Sequence, residues 1–156
     1  MTTFDPVQDE VTDAQVLTLL RQARTIAVVG LSPKPDRPSY RVAAYLQQAG
    51  YRIIPVRPAL ETILGEPCFA SLEAIPLEIV IDIVDVFRQA EETPPLALAA
   101  VRQMADREQS ARLFWLQSGI RNDAALAIAR NGGLTGVQDR CLMIEHRRLV
   151  AGGLAG

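Results

Sequence analysis

The chain has 156 residues, 49% hydrophobic and 22% charged, with a net charge of −2 at pH 7. That is the usual size and balance of one globular domain, enough to remove roughly two thirds of the unfolded surface from water. Such a charge gives no general attraction to nucleic acids or membranes, so any recognition of an anion has to be local.

Near the N-terminus Thr12 stands three residues before Gln15, the spacing of a capping box, and Val16, Leu19, Leu20 and Ala23 then share one helical face. Residues 25–30 (TIAVVG) are continuously apolar, the pattern of a strand covered on both faces. Pro38 or Ser39 starts the next helix, with Val42, Ala43 and Leu46 inward and Gly50 as its stop. Residues 51–56 (YRIIPV) form the second strand, closed by Arg57 and Pro58. Gly65, Pro67 and Pro76 break residues 61–76 into short connecting pieces.

The third strand is expected over residues 79–87 (IVIDIVDVF), with Asp82 and Asp85 near its end and a helix from about Pro94 to Asp106 covering it. Residues 112–117 (RLFWLQ) read as the fourth strand, ending in Ser118 and Gly119. Asn122 or Asp123 caps the next helix, Gly132 and Gly133 stop it, and residues 134–139 form a short fifth strand. Residues 1–11 and the glycine-rich 151–156 are expected to fray, leaving a single domain over the whole chain.

Strands alternating with helices imply βαβ units and a parallel sheet. With right-handed crossovers this predicts an α/β, Rossmann-like, doubly wound parallel sheet of about five strands with helices on both faces. The expected order is third, second, first, fourth, fifth. Ligands in such sheets sit outside the carboxyl ends of the strands, where the order reverses. Residues 30–37, 57–58, 85–88 and 117–119 should therefore meet around one crevice.

The loop after the first strand leads into a helix N-terminus, the arrangement that presents free N–H groups to an anion. It lacks the dinucleotide pattern G-x-G-x-x-G, having only Gly30. After the second strand an NAD site needs an acid for the ribose diol, and here stands Arg57. Lys34, Arg37, Arg57 and Arg88 could bring four positive charges to the crevice, which suits a diphosphate with a further phosphate, as in NADP or coenzyme A. The missing glycines favour coenzyme A.

Each residue also has a plainer reading. Gly30 can serve the turn alone, Ser39 can be a helix cap, and Lys34 and Arg37 can be solvated. Arg88 can pair with Asp85, and Gln117 and Gly119 can be turn residues. Phe114 and Trp115 read as core, which leaves Phe87 as the candidate for base stacking. Cys141 would need a base to act as a nucleophile. His146, the one histidine, reads in its His-Arg-Arg context as a solvated tail residue, leaving Cys141 a buried, inert thiol. No Ser/His/Asp set, metal-ligand spacing or acid–base couple stands out. Two distant cysteines read as the reduced thiols of a cytoplasmic protein. The acidic first ten residues do not resemble a signal peptide, and no apolar run reaches the roughly 18 residues of a membrane span.

Five segments carry a family resemblance: residues 26–40 (IAVVGLSPKPDRPSY), 50–58 (GYRIIPVRP), 84–88 (VDVFR), 115–119 (WLQSG) and 139–141 (DRC). The chain resembles the small stand-alone CoA-binding proteins, relatives of the CoA-binding domain of the succinyl-CoA synthetase alpha subunit. The resemblance implies coenzyme A or an acyl-CoA as cofactor, lying across the strand ends of a Rossmann-like fold. Ser32, Pro33 and Lys34 would then lie by the phosphates, and Val56, Arg57, Pro58, Val86, Phe87 and Arg88 would flank the adenosine. With Gly30, Leu31, Arg37, Ser39, Gln117 and Gly119, these complete the candidate binding set.

One departure is Arg57, where the family carries asparagine. The synthetase's phosphorylated histidine belongs to a further domain absent from this sequence, so ligase activity is not implied. Two classes of function stay open: a non-catalytic binder of coenzyme A or acyl-CoA, and an NADP-linked oxidoreductase or other nucleotide-using enzyme. The expected partner is a small-molecule nucleotide, with no nucleic acid and no membrane. A homodimer through the N-terminal helix or the tail after Cys141 is also left open.

Overall fold

A computed structural model describes residues 11–152, and it opens on the predicted capping box. The Thr12 hydroxyl accepts the Gln15 N–H at 3.2 Å, while the Gln15 side chain accepts the Thr12 N–H at 2.8 Å. Helix α1 (Asp13–Gln22) follows, then the wholly buried strand β1 (Thr25–Val29). Helix α2 (Pro38–Gln48) starts at Pro38 and ends before Gly50, whose φ of +108° is a C-terminal stop that side chains disfavour.

Strand β2 (Arg52–Val56) leads to a small antiparallel pair, β3 (Thr62–Ile63) and β4 (Glu66–Pro67), and to a 3-10 turn over Leu72–Ala74. Next come β5 (Ile83–Val86), α3 (Thr93–Met104), β6 (Leu113–Leu116), α4 (Asp123–Asn131) and β7 (Thr135–Val137). Asn122 caps α4 by accepting the Ala125 N–H at 2.9 Å. Helix α5 (Leu142–His146) runs on into a π turn over Arg147–Ala151.

The main sheet is parallel throughout, in the order β2-β1-β5-β6-β7. Alternate strand residues separate two cores, as a period of two requires. Ile26, Val28, Ile53, Ile83 and Trp115 face α1, α2 and α5, meeting Leu20, Leu46 and Leu142. Ala27, Val29, Ile54, Val84 and Phe114 face the other way, against Ala97, Met104, Leu126 and Ala129 of α3 and α4. Both Phe114 and Trp115 are fully buried, as expected of core residues. The α/β, Rossmann-like parallel sheet of five strands is therefore as predicted.

The strand order is not. The third of the predicted strands, β5, lies directly beside β1, pairing Ile26 with Ile83 and Val29 with Val86, and does not extend the sheet beyond β2. The connection explains this. Residues 57–82 hold no α-helix to cover an outward βαβ unit. Phe69 instead occupies the free edge of β2, its carbonyl accepting the Arg57 N–H at 2.8 Å and its N–H donating to the Pro55 carbonyl at 2.9 Å. With that edge taken, the chain returns over the sheet with Leu72 and Ile75 buried, and enters beside β1. The resulting order moves the reversal point to the gap between β1 and β5.

Strand β5 is also shorter than its apolar run. Asp82 precedes it, and its carboxylate accepts the N–H groups of Arg24, Thr25 and Ala111 at 2.8, 3.0 and 2.9 Å. One side chain thereby joins the starts of β1 and β6.

The segment after Cys141 is a second correction. It is a folded element, with Leu142 and Leu149 fully buried and His146 only 6% exposed. The His146 Nδ1 lies 2.8 Å from the Tyr45 hydroxyl, and its ring meets Tyr45 and Tyr51 edge-on. Arg148 reaches Asp13 through two bonds of 2.8 Å and Glu145 through two of 3.0 Å, fastening this segment to α1. The expected fraying of residues 1–10 and 153–156 falls outside the described residues. Val11 packs against the core, and Ala151 closes the π turn. Among the described residues no helix is long and apolar enough to cross a membrane.

Candidate functional site

Three strand tips are tied together by the main chain. Gly30 N–H donates to the Val56 carbonyl at 2.9 Å and Phe87 N–H to the Val29 carbonyl at 2.8 Å, so β2, β1 and β5 end side by side. Gly30 has a φ of +83°, and a Cβ built on it would stand 2.5 Å from the Phe87 carbonyl oxygen. Only glycine can turn the chain out of β1 there, because β5 runs directly alongside.

The loop that leaves Gly30 is held by its own side chains. Leu31 is fully buried and anchors it. The Ser39 Oγ accepts the Ser32 N–H at 3.0 Å, the Ser32 Oγ accepts the Lys34 N–H at 3.1 Å, and the Lys34 carbonyl accepts the Arg37 N–H at 3.0 Å. Ser39 is thus an internal tie of the loop and not a helix cap.

The residue at the N-cap of α2 is Arg37, which makes no side-chain capping bond, and Pro38 occupies the first turn. Ser, Thr, Asp or Asn would ordinarily cap these amides. Here the positive end of an eleven-residue helix is left without a side-chain acceptor.

This helix end opens on a depression of about 420 Å³ lined by Gly30, Ser32, Pro33, Lys34, Arg37, Pro38, Ser39, Arg57 and Phe87. Lys34 and Arg37 are exposed on one wall; Arg57, half-buried, stands on the other at the tip of β2. Phe87, half-buried at the tip of β5, supplies an aromatic surface. Three cations, an uncapped helix end and one aromatic ring fit an anionic nucleotide. The donor set offers nothing that a ribose diol would need as an acid.

Three of the four predicted strand tips therefore share the depression, and the fourth does not. Gln117 is buried, and its Nε2 donates to the Asp85 Oδ1 at 2.6 Å; the exposed Gly119 gives its N–H to Asp139 Oδ1 at 2.7 Å. Both lie beyond β6, and the observed order puts β5 between β6 and β1. Val56 and Val86 are core residues beneath the tips, and Pro58 is exposed outside the lining. Arg88 is ion-paired with Glu92, four residues on, and not with Asp85. Pro38 joins the lining although its sequence reading went no further than starting a helix.

Below the depression, Asp85 is fully buried with no partner for Oδ2. Burial raises its carboxyl to about 7, against the pull of the Gln117 bond. Burial also lowers His146, whose ring is turned toward Tyr45. Cys141 is half-buried, not buried, at the start of α5. Both cysteines are free thiols, and burial pushes Cys68 up while the nearby Arg57 charge opposes it. Among the described residues no group of His, Cys, Asp and Glu is arranged to hold a metal ion.

The profile of a family described as "CoA binding domain" matches residues 24–147. The chain is 38% identical to the uncharacterized protein YneT of Bacillus subtilis over 133 residues, 85% of this chain and 93% of that one. Among solved structures, a hypothetical protein from Pyrococcus horikoshii is 34% identical, with a TM-score of 0.82 over 96% of this chain and 99% of the other. A protein from Thermus thermophilus is 36% identical, with a TM-score of 0.79 over 89% and 99%.

Proposed function

We propose that this chain, which belongs to the family of CoA-binding domains, holds coenzyme A or an acyl-CoA in the depression at the tips of β1, β2 and β5, without a reaction of its own. The observation that carries this reading is the uncapped N-terminus of α2 opening between Lys34, Arg37 and Arg57. A diphosphate would accept the free amides and complete the helix, with Lys34 and Arg37 beside it. The lining contains cations, two serine hydroxyls and a phenyl ring, a set that binds and orients. Neither His146, bonded to Tyr45, nor Asp85, beneath the tips, stands in it.

Isothermal titration of purified, ligand-stripped protein against coenzyme A, NADP and NAD tests the proposal. Coenzyme A should bind at micromolar affinity or tighter. The paired substitution Lys34→Ala and Arg37→Ala should weaken that binding at least about tenfold, about 1.4 kcal/mol. Binding of NADP without coenzyme A would overturn the reading in favour of a nucleotide-using enzyme. An unchanged affinity in the double variant would remove the phosphates from the α2 loop.

A further inference from the structure

Arg57 stands apart from the other two cations of the depression. Lys34 and Arg37 lie on the loop that enters α2, whereas Arg57 directly follows β2. Its backbone is fixed by the bond from its N–H to the Phe69 carbonyl, so the side chain leaves the strand tip from a rigid point. Arg57 is half-buried, and among the described residues its guanidinium makes one hydrogen bond, a long one of 3.4 Å from Nη1 to the Leu31 carbonyl. No carboxylate pairs with it among the described residues. A half-buried arginine that lines an open depression, with most of its donors unused within the protein, is free to receive an anion from outside the chain.

The position after β2 bears on which anion it could take. In dinucleotide-binding α/β folds the position after the second strand meets the ribose; an acid there takes a free diol, and a nearby arginine accommodates a phosphate on the sugar. We infer that Arg57 is a specificity-determining residue that selects nucleotides whose ribose carries a phosphate, separately from the diphosphate held at α2. This deepens the proposed binding of coenzyme A and rests on it, because coenzyme A carries a ribose 3′-phosphate. A planar guanidinium can hold such a monoester through two parallel N–H···O bonds.

The test compares coenzyme A with 3′-dephospho-coenzyme A, the same molecule lacking that one phosphate, on the wild type and on Arg57→Gln. The wild type should bind the dephospho compound at least about tenfold more weakly, the size expected when charge-assisted hydrogen bonds are lost. Arg57→Gln should bind coenzyme A more weakly by a similar factor and should no longer distinguish the two compounds, as a shared contact in a double cycle requires. Arg57→Lys, which keeps the charge without the planar fork, should retain part of the preference and guards against a folding defect in the glutamine variant. If Arg57→Gln binds coenzyme A and discriminates as the wild type does, the role of Arg57 is overturned while the binding of coenzyme A stands. If the wild type binds neither compound, both readings fall.

Discussion

Replacing Asp85 by asparagine should change how the stability of this protein depends on pH. The Asp85 carboxyl is fully buried, one oxygen bonded to Gln117 at 2.6 Å and the other without a partner. Burial raises it from an ordinary 3.8 to about 7. Because the folded value lies above the unfolded one, the neutral acid stabilises the fold fully below about pH 4, and that contribution is lost as pH climbs toward 7. At about 1.4 kcal/mol per unit, the loss between those limits is about 4 kcal/mol. The carboxamide of Asp85→Asn would keep an oxygen that accepts from Gln117 and carry no charge at any pH. Urea denaturation at several values between about pH 4.5 and about pH 8.5, read as a midpoint shift at constant slope, measures the difference. The variant should match or fall slightly below the wild type at the acid end, and exceed it by a few kcal/mol at the alkaline end. A difference that stays flat across the range would refute the reasoning, since it would mean that Asp85 takes up no extra proton on folding.

Gly30→Ala should cost at least about 2 kcal/mol and abolish binding of coenzyme A, because the backbone is left-handed and the new methyl meets the Phe87 carbonyl. Thermal denaturation and titration together check this, and an alanine variant of wild-type stability would refute it. His146 acts with the opposite sign to Asp85: its folded value is depressed, so its contribution is present above the ordinary 6.5 and lost as pH falls through the folded value. His146→Gln, which cannot take up that proton, should lose less stability than the wild type between about pH 7 and about pH 5. Equal losses in melting experiments would argue that His146 does not resist protonation.

Much of this molecule was legible in the sequence where one element decided the outcome. The Thr12–Gln15 box, the Asn122 cap, the Gly50 stop and the buried run of β1 each follow from local chemistry, and the structure reproduces them. The lining at Gly30, Lys34, Arg37, Arg57 and Phe87 was equally accessible, since those residues end strands or begin a helix. Features set by two distant segments were not. The order of β2, β1 and β5 depends on Phe69 reaching the edge of β2, and nothing in residues 61–76 announces that contact. Gln117 was expected in the crevice only because the fourth strand was expected beside the first. His146 reads as solvated from the two arginines that follow it, yet Leu142 and Leu149 place its helix on the core, and Tyr45 and Tyr51 lie about a hundred residues earlier in the chain.

On the proposed binding, the open end of α2 would tie the guest to the host's own folding. A carboxamide or carboxylate at position 37 would finish the helix and contribute about 1 kcal/mol to the fold, but it would also hold the amides that an incoming phosphate has to find. With Arg37 there instead, the polypeptide forgoes that increment. If coenzyme A is held there as proposed, its binding would add to the stability of the fold by mass action. On that reading, a residue that caps α2 would steady the free protein and compete with the phosphate for the same amides.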